Sequence, residues 1–126
     1  MREVIIILII VVSVIALGVC EQKYIDNNTN ELISNLNEIK KQVKEQKHEA
    51  AIKKTNELSE KWDKIEGKLS ILVDHEHIDN VGESIGALKT GLEADEKEGI
   101  TKEIDKTIFL LNDIQDINRL KWKNVF

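Results

Sequence analysis

Histidine and carboxylate side chains cluster once, in Asp74-His75-Glu76-His77 followed by Asp79. Neutral imidazoles and carboxylates are what zinc and similar ions take as ligands. On a helix, successive residues turn by about 100°, so His75 and His77 point roughly 200° apart. Only His75 and Asp79 then share a face. An H-x-H pair converges on a strand, and nothing nearby carries a strand pattern. The spacing is also not the H-E-x-x-H of a zinc protease. The stretch therefore reads as a polar helix–helix turn with capping acids, and no metal ligand is assigned. A metal-binding protein using His75, Asp79 and His77 is kept as an alternative.

Nucleophiles fare no better. Ser13 lies in an apolar run, Cys20 has no neighbouring histidine, and Ser34, Ser59, Ser70 and Ser84 fall on helical patterns without a base beside them. Cys20 is the only cysteine, which excludes an intrachain disulfide. There is no glycine-rich phosphate loop. No catalytic residue and no cofactor are expected, and the chain is not expected to be an enzyme.

What must position everything else is Val4 to Cys20, VIIILIIVVSVIALGVC, which contains no charge. Its 17 residues span roughly 25 Å as a helix, the short end of what crosses a hydrocarbon core of about 30 Å. Tyr24, one turn on, suits an aromatic belt at the interface. Arg2 and the terminal amine precede the run, while Glu21 and Asp26 flank Lys23 after it. That bias places the N-terminus inside and the bulk outside. Two alternatives stay open: cleavage as a secretory signal after Ala16-Leu17-Gly18, and lipidation at Cys20. The expected organisation is a cytoplasmic stub at 1–3, a transmembrane anchor at 4–20 and an extracytoplasmic helical domain at 21–126.

Charged residues make up 33% of the chain, aromatics 4%, and proline is absent, which is the profile of a helical bundle. The net charge of −5, with both signs interspersed, argues for solvated helix faces. Without a basic stripe, nucleic acid is not an expected partner.

Apolar residues at Ile25, Leu32, Leu36, Ile39 and Val43, with Thr29 in the missing slot, form one helical stripe. Asn28 with Glu31 fits a helix cap, or the helix runs unbroken from the apolar segment; the pattern allows both. The stripe lapses at 44–48, read as a turn in preference to a register shift with His48 as a turn residue, and resumes at Ala51, Thr55, Leu58, Trp62, Ile65, Leu69 and Leu72. Trp62 falls on the core seam. A third stripe, Ile78, Val81, Ile85, Leu88 and Leu92, follows Asp74 as N-cap. Gly82 and Gly86 on it either admit a neighbouring helix or simply weaken their own, and Gly91 marks fraying. Asp95-Glu96-Lys97-Glu98 reads as a capping box opening a last helix through Ile100, Ile104, Ile108, Leu111 and Ile114. The tail from Ile117 to Phe126 is expected to be extended. Leu120, Trp122 and Phe126 would dock on the bundle, with membrane contact or a partner protein as alternatives. The fold class is all-α: an N-terminal transmembrane helix followed by an antiparallel three- or four-helix bundle.

Four features carry a resemblance: the apolar span Val4 to Cys20, Trp62 in a leucine-rich helix, the run Asp74-His75-Glu76-His77-Ile78-Asp79-Asn80-Val81, and the ending Asn124-Val125-Phe126. In these the chain resembles an uncharacterised family, a domain of unknown function, of short membrane-anchored helical proteins from spore-forming Firmicutes. The resemblance implies a membrane-anchored helical protein working with an uncharacterised multi-spanning membrane partner, and it carries over no catalytic residue. The expected role is a single-pass interaction or structural module in the cell membrane, with membrane and a membrane protein as partners. The alternatives are the metal-binding protein above and a bundle enclosing a small apolar ligand.

Overall fold

The computed structural model describes residues 1–125. They form four helices: α1 (Arg2–Lys44), α2 (His48–Leu72), α3 (His75–Glu93) and α4 (Lys97–Val125). Short turns force each helix antiparallel to the one before it. The packed pairs are α1 with α2, α2 with α3, α3 with α4, and α4 back on α1, closing a four-membered ring. The fold class expected from the stripes is the one observed, with four helices as the count.

The first helix decides the layout. It runs unbroken for 43 residues, about 65 Å, because no proline or helix-ending turn separates the apolar run from the amphipathic one. Asn28 is therefore not a cap; its amide donates to the Tyr24 carbonyl at 2.8 Å inside the helix. Only from Gly18 onward does α1 bury residues; between Val4 and Leu17 the large apolar side chains project into solvent.

Leu32, Leu58, Leu88 and Leu111, one from each helix, are fully buried at the centre. The gaps in the stripes close without strain. Thr29, Thr55 and Thr107 occupy core positions, and each hydroxyl donates to the carbonyl four residues back, at 2.7, 2.8 and 2.7 Å. A threonine so satisfied can be buried like a valine. Trp62 is 2% exposed, as its seam position requires. Its Nε1 lies 3.4 Å from where a Cβ on Gly82 would stand, whereas a Cβ on Gly86 would meet nothing within 4 Å. Of that pair, only Gly82 accommodates a neighbour.

The turns at 45–47 and 94–96 share one design. In the first, Lys47 N–H bonds the Gln42 carbonyl at 2.9 Å and Gln46 N–H the Val43 carbonyl at 3.2 Å. In the second, Glu96 N–H bonds Gly91 and Asp95 N–H bonds Leu92, both at 3.2 Å. Both are Schellman closures, with Gln46 (φ 60°) and Asp95 (φ 56°) in the left-handed position that glycine prefers. This corrects two expectations. Gly91 is held in the closing turn of α3 instead of fraying, and Asp95 ends α3 instead of capping α4. Asp74 does hold the N-cap position of α3, but its carboxylate makes no capping hydrogen bond. Because the left-handed conformation disfavours a side chain, Gln46→Gly is expected to raise stability by about 0.5–1 kcal/mol, read as a higher midpoint in urea at unchanged slope.

The tail departs most from expectation. It continues as helix to Val125, with Leu120 exposed; Phe126 lies outside the described residues. Past Ile114 the buried positions of α4 are Gln115 and Asn118, so the stripe goes on in polar residues that a hydrophobic pattern does not show.

Candidate functional site

The strongest concentration of specific interactions joins α1 at residues 18–30 to α4 at residues 115–122. Antiparallel packing brings these stretches together, and they sit where the apolar segment enters the bundle. Gln115 is buried and donates to Thr29 Oγ1 at 2.6 Å and Asn30 Oδ1 at 2.8 Å. One turn on, Asn118 donates to Gln22 Oε1 at 2.7 Å, and Gln22 in turn donates to Asp26 Oδ1 at 2.8 Å and to the Gln115 carbonyl at 3.3 Å. Arg119 bridges Asp26 at 2.9 Å and Asp116 at 3.3 Å. Amides paired in this way fix register, because a slip by one turn would leave buried donors and acceptors unmatched.

Above this ladder, Trp122 closes the junction. Its ring lies over Gly18 so closely that a Cβ there would stand 2.8 Å from Cε3 and 2.9 Å from Cδ2. The indole Nε1 donates to Glu21 Oε2 at 3.0 Å, Lys121 reaches Glu21 Oε1 at 3.3 Å, and the Lys121 ammonium lies 5.4 Å from the indole centroid. A groove lined by Ile15, Gly18, Val19, Gln22, Arg119, Trp122 and Lys123 runs along the outside of this contact. Tyr24, one turn beyond the apolar run, packs on the core with its ring beneath Lys68.

The residues considered for metal do not assemble. His75 and Asp79 are exposed on α3, and His77 turns toward α4, with Nδ1 3.8 Å from Asp113 Oδ2. Among the described residues no three histidine, cysteine or acidic side chains come together as a ligand set. Ser84, without partners in the sequence reading, has two here: its hydroxyl lies 2.5 Å from Thr107 Oγ1 and donates to Glu103 Oε1 at 2.8 Å. That arrangement ties α3 to α4. His48, expected as a turn residue, is instead the first residue of α2, with Nδ1 3.6 Å from Asp95 Oδ1 where the α1/α2 and α3/α4 turns meet. A hollow of about 230 Å³ there is bounded by Val43, Gln46, His48, Leu92, Asp95, Lys97 and Ile100. Elsewhere the electrostatics are those of a solvated surface. Lys61 pairs with Glu31 across α1 and α2, and partial burial holds its ammonium below the usual lysine range.

Ring topology, a polar α1/α4 ladder and a long apolar leader define a helical-bundle domain continuous with an apolar helix. Residues 19–125 match the family described as a domain of unknown function, DUF4363, and the chain belongs to that family. The matched region is the bundle together with Val19 and Cys20, the last two residues of the apolar run, and it leaves residues 1–18 outside. No curated protein and no solved structure matches the chain.

Sequence reasoning missed Gly18 and the Gln22–Asn118 ladder. Gly18 was read only as a small residue before a cleavage point. The one available signal was a glycine in an otherwise bulky apolar helix, with a tryptophan in the last helix to fill its place.

Proposed function

We propose that this protein is a single-pass membrane protein, N-terminus inside, whose bundle stands outside the membrane as a non-catalytic module for binding a partner protein. One observation carries the membrane reading: the apolar stretch of α1 has a mean hydropathy of 3.1 over its best window, and 6% of that window is buried. A core helix of a soluble protein would have this surface covered by its own chain, and contiguous apolar surface on this scale calls for an outside cover.

Retention of the segment is favoured over removal as a signal. Cleavage after Gly18 would cut away the turn of α1 on which Trp122 rests and expose that ring. Orientation rests on Arg2 and the terminal amine. On the other side of the span, Arg119 and Lys121 are matched by Asp26, Asp116 and Glu21, which limits their weight as a competing positive cluster. The non-catalytic reading rests on how the interior polar groups are used: Gln115, Asn118, Ser84 and Thr107 bond one helix to another. The likeness to short proteins of spore-forming Firmicutes supports the same role and suggests a multi-spanning membrane protein as the partner class.

Fractionation with alkaline extraction, followed by protease treatment of intact spheroplasts, tests placement. The full-length chain is expected in the extracted membrane, with a C-terminal tag digested from outside; a freely soluble full-length chain would refute the reading. Crosslinking in native membranes tests the role, where a second protein is expected and recovery of this chain alone counts against it.

A further inference from the structure

We infer that the span-proximal end of the bundle is itself a membrane-contact surface, seated in the headgroup and glycerol layer of the bilayer that α1 crosses. This rests on the membrane reading above and adds a second, peripheral contact to the spanning one.

The argument is one of depth. Trp122 packs on Gly18, two residues (about 3 Å) inside the end of the apolar run at Cys20. Since α4 runs antiparallel to α1, residues beyond Trp122 lie deeper still. Trp122 and Lys123 share a groove with Ile15, five residues (roughly 7 Å) inside that end. The α2/α3 turn reaches the same end, because Val73 and Asp74 border one hollow with Asn118 and Lys121. An unbroken α1, locked to α4 by the amide ladder, leaves no hinge by which the bundle could lower itself away from the membrane.

The chemistry of this end fits that depth. Ile71 is 84% exposed, Leu120 58% and Val125 61%, large apolar side chains that the bundle leaves bare around the emerging span. Lys123 stands beside Trp122 in the groove, Arg119 and Lys121 accompany it paired with Asp26, Asp116 and Glu21, and tryptophan with basic residues is the combination that partitions to the interfacial layer. A second copy of the chain would also cover apolar side chains, and Phe109, 67% exposed, stands 13 residues (about 20 Å) from Trp122 along α4; but it would not account for Ile71, Leu120 and Val125 gathering at the level where the span ends.

The test uses the full chain carrying Trp62→Phe, reconstituted in phosphatidylcholine–phosphatidylglycerol vesicles, so that Trp122 alone emits. With lipids brominated near the carbonyl end of the acyl chains, Trp122 is expected to lose most of its emission, and much less with bromines near the methyl end. Unchanged emission in both, from protein that stays with the vesicles after alkaline washing, overturns the inference and leaves the spanning segment intact. A blue-shifted but unquenched Trp122 in washed vesicles means that protein covers this end, and likewise overturns it. Protein recovered outside the vesicles defeats the membrane reading and the inference together. Should Trp62→Phe fold poorly, the unaltered chain serves. Trp62 lies on α2 one residue from Lys61, the partner of Glu31, some 11 residues or about 16 Å beyond the span, and it contributes a constant unquenched background.

Discussion

Trp62→Ala is expected to cost the bundle about 3–5 kcal/mol, the range for emptying an aromatic site in a packed core, and to bring it to the edge of unfolding at ordinary temperature. The ring is 2% exposed and lies between α2 and Gly82 of α3, so the space it vacates is enclosed by helices that cannot close in without breaking their other contacts. Trp62→Phe should cost far less. The indole Nε1 has no hydrogen-bond partner among the described residues, so its removal forfeits none there. Urea denaturation of the two variants beside the parent chain, followed by far-ultraviolet circular dichroism, measures the difference. Equal losses for alanine and phenylalanine would show that the ring's volume is not what matters.

Gly18→Val carries the second large effect. The new Cβ would stand 2.8 Å from the Trp122 ring, on a face of α1 that the Gln115 and Asn118 bonds already fix against α4. Either the indole leaves its seat or α4 shifts, and overpacking of this kind costs about 1–3 kcal/mol. The damage should be local. Amide exchange is expected to accelerate across residues 115–125 and not in α2 or α3, with the Trp122 bond to Glu21 lost. Gly18→Ala is the milder test, because it trades the clash against the roughly 1 kcal/mol that alanine gains over glycine in a helix. Exchange that rises uniformly through all four helices would contradict a local role for this contact.

The stripes led directly to the bundle because its core is made mostly of Ile, Leu and Val at helical spacing, and such a pattern shows in a single sequence. The turn near 45–47 was equally legible, as a lapse of charged and amide residues between two stripes. What escaped notice was polar. Gln115 and Asn118 are core residues that look like surface ones, so the hydrophobic pattern stops short of the end of α4 and predicts an extended tail. Asp95 was placed at the wrong end of its turn, since an acid three residues before another acid suggests a helix start, while its backbone conformation cannot be read from the letters. The junction at Gly18 joins residues about a hundred positions apart, and only the fold brings them together.

The unbroken course of α1 has a geometric consequence. From Cys20 to the turn at Glu45 the helix rises roughly 37 Å with no flexible joint, which in the membrane placement proposed above makes the protein a ruler mounted on its span. Its far tips, where His48 faces Asp95, would then be held at a set standoff from the bilayer. A partner wholly embedded in the membrane can touch only the near end, whereas one that engages the tips must itself project by about that height.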